Sequence, residues 1–105
     1  MDNRPIGVFD SGFGGLTAMR RLVETMPNED LIYLGDTGRV PYGGRSAETI
    51  IKYARQDIEF LLSHNIKAVV VACGTVSTVA LEQIAGDYST PIFGVVAPTA
   101  WKAAR

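Results

Sequence analysis

Apolar residues along this chain follow two alternating patterns: short unbroken runs that stop at a glycine or an acidic residue, and longer stretches with apolar positions at helical spacing. The runs Pro5-Ile-Gly-Val-Phe9, Leu31-Ile-Tyr-Leu34, Lys67-Ala-Val-Val-Val-Ala-Cys73 and Pro91-Ile-Phe-Gly-Val-Val96 read as strands. Between them, Leu16, Met19, Leu22, Val23 and Met26 form one helical stripe, and Ile50, Ile51, Ala54, Ile58, Leu61 and Leu62 a second. Val76, Val79, Ala80 and Ile84 form a third. Local punctuation agrees with these limits. Pro27-Asn28 ends the first helix, Ser46 caps the second with Glu48 in its first turn, His64-Asn65 closes it, and Gly86 ends the third. After the break at Ala97-Pro98, Thr99 is placed to cap a last helix from Ala100 to Arg105. The alternation β-α-β-α-β-α-β predicts an α/β fold: an open parallel sheet of about four strands with helices on both faces.

In such a sheet, ligands bind outside the carboxyl ends of the strands, where loops converge on a crevice. Asp10, Ser11, Asp36, Thr37 and Cys73 each lie directly after a predicted strand and are assigned to that edge. Cys73 also precedes a helical turn, whose unpaired N–H groups favour a thiolate. The alternative for a lone cysteine is a buried small hydrophobe. Asp10 and Asp36 have an alternative as turn formers that bond their own backbone. The segment from Gly38 to Arg45 is long for a compact domain and carries three glycines, Pro41 and Tyr42, which marks it as a candidate binding loop in which Tyr42 equally serves as a packing residue. Arg39 and Arg45 are read as solvated or paired on the surface.

Composition narrows the chemistry. A length of 105 residues with 47% hydrophobic content suits one core. Ten basic against eleven acidic residues leave a net charge of -1, which disfavours nucleic acid or an anionic membrane as partner. A single cysteine forms no internal disulfide, and with one histidine, His64, no zinc spacing exists. No leader pattern opens the sequence and no window approaches a bilayer span, so a cytoplasmic protein is expected.

The glycine-rich loop Gly12-Phe-Gly14-Gly-Leu-Thr17 has Thr17 where the third glycine of a dinucleotide fingerprint belongs, and Asp10 at its mouth repels a pyrophosphate. Phosphate-ester chemistry on Cys73 lacks a cation just downstream, since Gly74 to Ala80 supplies hydroxyls alone. A hydrolytic Cys-His pair has only His64, at the far end of its strand, where a plain surface role is expected. Proton transfer fits better: a thiolate, a carboxylate and backbone donors suit removal of a proton from carbon beside a carboxylate.

Three stretches resemble the signatures of the glutamate racemase family: Ile6-Gly-Val-Phe-Asp10-Ser-Gly-Phe-Gly-Gly-Leu-Thr17, Tyr33-Leu-Gly-Asp36-Thr-Gly-Arg-Val-Pro-Tyr-Gly43 and Val71-Ala-Cys73-Gly-Thr75. The resemblance implies cofactor-independent interconversion of L- and D-glutamate, supplying D-glutamate for peptidoglycan. Two cysteines on opposite sides of the α-carbon exchange the proton in that family. By this likeness Cys73 is the first of them and Asp10 assists it. Ser11, Pro41, Tyr42, Gly43, Gly74 and Thr75 are the implied substrate contacts, with the Pro41-Tyr42-Gly43 loop near the side-chain carboxylate. A homodimer is compatible with the likeness.

Two departures stand out. Gly74 occupies the place of a family asparagine, and loss of a polar contact of that kind costs about 1–3 kcal/mol. No second cysteine is present. The expectation is therefore an amino-terminal part of a racemase, with residues 1–97 in the first α/β domain and 98–105 starting the crossover to a second domain that the chain lacks. Two alternatives remain: a racemase of aspartate or another small acid, and a non-catalytic amino-acid-binding module of the same fold.

Overall fold

A computed structural model describes residues 2–10, 15–35, 46–72, 76–77, 80–97 and 100–103. Its elements are β1 (Ile6–Asp10), α1 (Gly15–Thr25), β2 (Leu31–Gly35), α2 (Ala47–Leu62), β3 (Ala68–Val71), α3 (Leu81–Ile84) with a 3-10 turn over Ala85–Asp87, β4 (Ile92–Ala97) and β5 (Ala100–Ala103). The sheet order is β2-β1-β3-β4-β5, with the first four strands parallel. Val69, Val70 and Val71 of β3 are all buried, as expected of a strand covered on both faces.

Alternation along each strand divides the core into two layers. Phe9, Val69 and Val71 pack with Ile50, Ala54, Ile58 and Leu61 of α2 and with Leu81 and Ile84 of α3. Ile6, Val8 and Val70 point the other way, onto Leu22 of α1. Two helices thus cover one face and α1 the other. Right-handed crossovers produce this arrangement, because β1 to β2 runs in one direction along the sheet and the next two connections run back.

The α2 stripe follows the helical spacing, and the Ser46 hydroxyl caps it by accepting from the Thr49 N–H at 3.2 Å. Asn65 ends the segment with φ of 56°, a left-handed conformation that asparagine tolerates. His64 lies exposed at that helix end, as anticipated. At the strands' amino edge, the Lys67 ammonium lies 2.6 Å from a Glu29 carboxylate oxygen and donates to the Asp2 carbonyl at 2.9 Å, tying together the entries to β1, β2 and β3.

Two expectations differ. Val23 is 52% exposed and leaves the α1 stripe, since the next residue round a helix turns away from a contact as narrow as one helix on a sheet. Along the third predicted helix, Val76 and Ser77 are helical, the Ala80 N–H donates to the Val76 carbonyl at 2.9 Å, and α3 then covers Leu81–Ile84 before the 3-10 turn. The last helix, expected from Ala100 to Arg105, is instead β5, antiparallel to β4 in the register Gly94↔Lys102 and Val95↔Trp101. A two-turn helix is marginal by itself, whereas the open edge of β4 offers partners for the backbone of this segment.

Candidate active site

The strand order reverses at β1: the chain goes from β1 to β2 on one side and then returns to place β3 on the other. In open α/β sheets a ligand crevice forms at this switch point, beyond the carboxyl ends of the two central strands. Asp10 is the last residue of β1, and its side chain is fully buried. On the neighbouring strand, Phe9 pairs with Val71, and the Ala72 N–H donates to the Phe9 carbonyl at 2.8 Å. The chain therefore enters the segment beginning at Cys73 from the strand directly beside the one that ends at Asp10.

Cys73, Ser11, Pro41, Tyr42, Gly43, Gly74 and Thr75 lie outside the described residues, as do Asp36, Thr37, Arg39 and Arg45. Of the expected site, Asp10 is the described member. It is the one fully buried acidic side chain among the described residues. A carboxylate in that position needs hydrogen-bond donors to offset its lost hydration.

Sequence reasoning missed one of these donors. The Tyr33 hydroxyl donates to Asp10 Oδ1 at 2.8 Å. Tyr33 lies on β2 opposite Val8, and Gly35 lies opposite Asp10, so all four share the α1 face of the sheet. Burial, reinforced by the hydrogen bond to Asp10 and by its negative charge, pushes the Tyr33 phenol up to about 12. The phenol stays a donor across the whole working pH range. Parallel register was the signal that could have revealed it, since an aromatic two residues before a glycine can lean across toward the facing strand's end.

Among the described residues, no group of three or more His, Cys, Asp or Glu side chains is gathered as a metal ion would need. No helix there is long and apolar enough to cross a membrane. What the arrangement supplies is a buried, oriented carboxylate at the switch point of a parallel sheet, next to the strand that delivers the cysteine.

No family model matches the chain. Individual proteins do. The chain is 50% identical over 100 residues to glutamate racemase of Lactococcus lactis subsp. cremoris strain MG1363, across 95% of the chain and 37% of that relative. The crystal structure of glutamate racemase from Thermus thermophilus in complex with β-chloro-D-alanine matches with a TM-score of 0.86 and 50% identity, over 90% of this chain and 37% of that one. Glutamate racemase from Francisella tularensis subsp. tularensis SCHU S4, in complex with D-glutamate, gives a TM-score of 0.82 and 46% identity over 90% and 36%. The chain thus spans about 37% of the length of the relatives it matches, at their amino-terminal end. In sequence and in fold, the chain is similar to the amino-terminal part of glutamate racemases.

Proposed function

We propose that this chain forms the first half-site of a glutamate racemase, in which Cys73 exchanges the α-proton of glutamate on one face of the carbon and Asp10 assists it. The observation that carries the reading is the buried Asp10 carboxylate at the end of β1, beside the strand that runs into Cys73. One thiolate takes the α-proton of glutamate, the electron pair left on carbon delocalises into the neighbouring carboxylate, and the other thiol, on the opposite face, returns a proton to give the opposite enantiomer, with Cys73 serving one of the two faces. Backbone N–H groups of the glycine-rich loops suit the developing negative charge. Ser11, Gly74 and Thr75 hold the amino-acid end, and Pro41, Tyr42 and Gly43 the side-chain carboxylate. No cofactor takes part in this scheme.

Residues 1–97 then belong to the first α/β domain, and 98–105 lead toward a second one that carries the other thiol. D-Glutamate so formed feeds peptidoglycan synthesis in the cytoplasm, and a homodimer is the assembly assigned to the complete enzyme. Exchange of the glutamate α-hydrogen into deuterated water tests the reading on the full gene product that contains this sequence. Exchange should be present in the parent and lost by at least about a thousandfold in Cys73→Ser, a removal of the attacking group. Glutamate binding without exchange, unaffected by Cys73→Ser, would instead identify a binding module. Faster exchange with aspartate than with glutamate would move the substrate assignment to the smaller acid.

A further inference from the structure

Given the racemase reading on which it rests, we infer that Tyr33 is a positioning residue for the reaction: its hydroxyl clamps the Asp10 carboxylate through a slot that Gly35 leaves open between β2 and β1. Three observations meet here. The Tyr33 hydroxyl lies 2.8 Å from Asp10 Oδ1, a well-formed hydrogen bond to a charged acceptor. Asp10 is fully buried, so the direction of its carboxylate is set by protein donors and not by bulk water. A Cβ built at Gly35 would lie 3.3 Å from both Cε2 and the hydroxyl oxygen of Tyr33, so a side chain at position 35 would press on the ring and shift it by a few tenths of an ångström.

The register explains why this pair is the one that meets. Gly35 is the direct neighbour of Asp10 across the ladder, and Tyr33 is its diagonal neighbour on the same face. A long side chain at the diagonal position spans the distance, and a direct neighbour without a side chain leaves it room to do so. Fixing one carboxylate oxygen in this way leaves the plane of the carboxylate oriented at the carboxyl edge, where an assisting group must be held within tenths of an ångström to be effective. A clamp of this kind improves the chemical step and leaves substrate binding unchanged.

The experiment measures α-hydrogen exchange of glutamate in deuterated water with the full gene product, comparing the parent with Tyr33→Phe, Gly35→Ala and Asp10→Asn. Tyr33→Phe keeps the ring and removes the donor, and is expected to lower kcat about tenfold or more with KM within about twofold. Gly35→Ala keeps both Tyr33 and Asp10 but displaces the ring by a few tenths of an ångström, and is expected to lower kcat in the same sense by a smaller factor. In Asp10→Asn, NMR titration of the Tyr33 ring is expected to move the phenol down from about 12 toward its ordinary 10.0, part of the way because burial remains. Unchanged kcat in Tyr33→Phe beside lost exchange in Asp10→Asn overturns the clamp and leaves the racemase reading standing. Absence of exchange in the parent fails the racemase reading itself. A Tyr33 titration indifferent to Asp10→Asn overturns the pairing whatever the activity. If Tyr33→Phe does not fold, Gly35→Ala decides: unchanged kcat there overturns the clamp.

Discussion

A phenol that is partly buried and donates to a carboxylate is easier to keep neutral than to ionise, and this makes Tyr33 a determinant of alkaline stability. Its folded value of about 12 stands above the ordinary 10.0 of an unfolded chain, so the native state holds the proton more tightly. The associated stability is fully present below pH 10 and is lost as pH rises toward 12. Tyr33 is 36% exposed, so solvent screening reduces the effect to on the order of 1 kcal/mol. Urea unfolding of the chain across pH 9 to about 12 should show a falling midpoint that is shallower in Tyr33→Phe. Some slope remains in the variant, because burial also raises the phenol of Tyr88. An identical slope in both proteins would remove Tyr33 from the account. Asp10 was legible from its sequence position because a polar residue directly after an apolar run marks a strand end. Its donor was not, because a tyrosine within a strand pattern reads as packing until the register of the neighbouring strand is known.

Between residue and fold, single groups decide where elements start and how closely they approach. The Ser46 hydroxyl satisfies one of the N–H groups that open α2, accepting from Thr49 at 3.2 Å. Ser46→Ala should lower stability by about 1 kcal/mol, read as a lower urea midpoint with an unchanged slope. Gly7 performs the opposite service by having no side chain. A Cβ there would lie 2.7 Å from Ile66 Cδ1 and 3.3 Å from Leu61 Cβ, so β1 can receive the end of α2 only because the position is bare. Gly7→Val should cost about 1–3 kcal/mol through overpacking, by the same measurement. Both helix entries and strand runs were legible because hydrophobic period and capping chemistry agree in them, as at Ser46 and at Val69 to Val71. The segment Ala100 to Ala103 misled because its alanines favour a helix locally, while its actual conformation is set by a partner, β4, distant from any local signal.

At the scale of the whole molecule the two faces of the sheet are unequal. α2 and α3 cover one, while α1 alone covers the other, beside a cavity of about 440 Å³ lined by Ile6, Leu22, Met26, Ala68, Val70 and Phe93. The chemistry is equally one-sided. Inverting a carbon centre requires a proton to leave from one face and arrive on the other, and in the proposed reaction Cys73 serves one face of the bound substrate. The 105 residues contain a single cysteine, and the match covers 37% of the length of the relative from Lactococcus lactis. The chain as a 105-residue protein should therefore leave the optical rotation of L-glutamate unchanged over hours, at a rate indistinguishable from buffer. Exchange of the α-hydrogen can in principle proceed on one face with retention of configuration, so polarimetry and deuterium incorporation need to be followed together. Deuterium uptake without loss of rotation is the signature of a working half-site, while loss of rotation by this chain would mean that one thiol serves both faces and would overturn the two-thiol scheme.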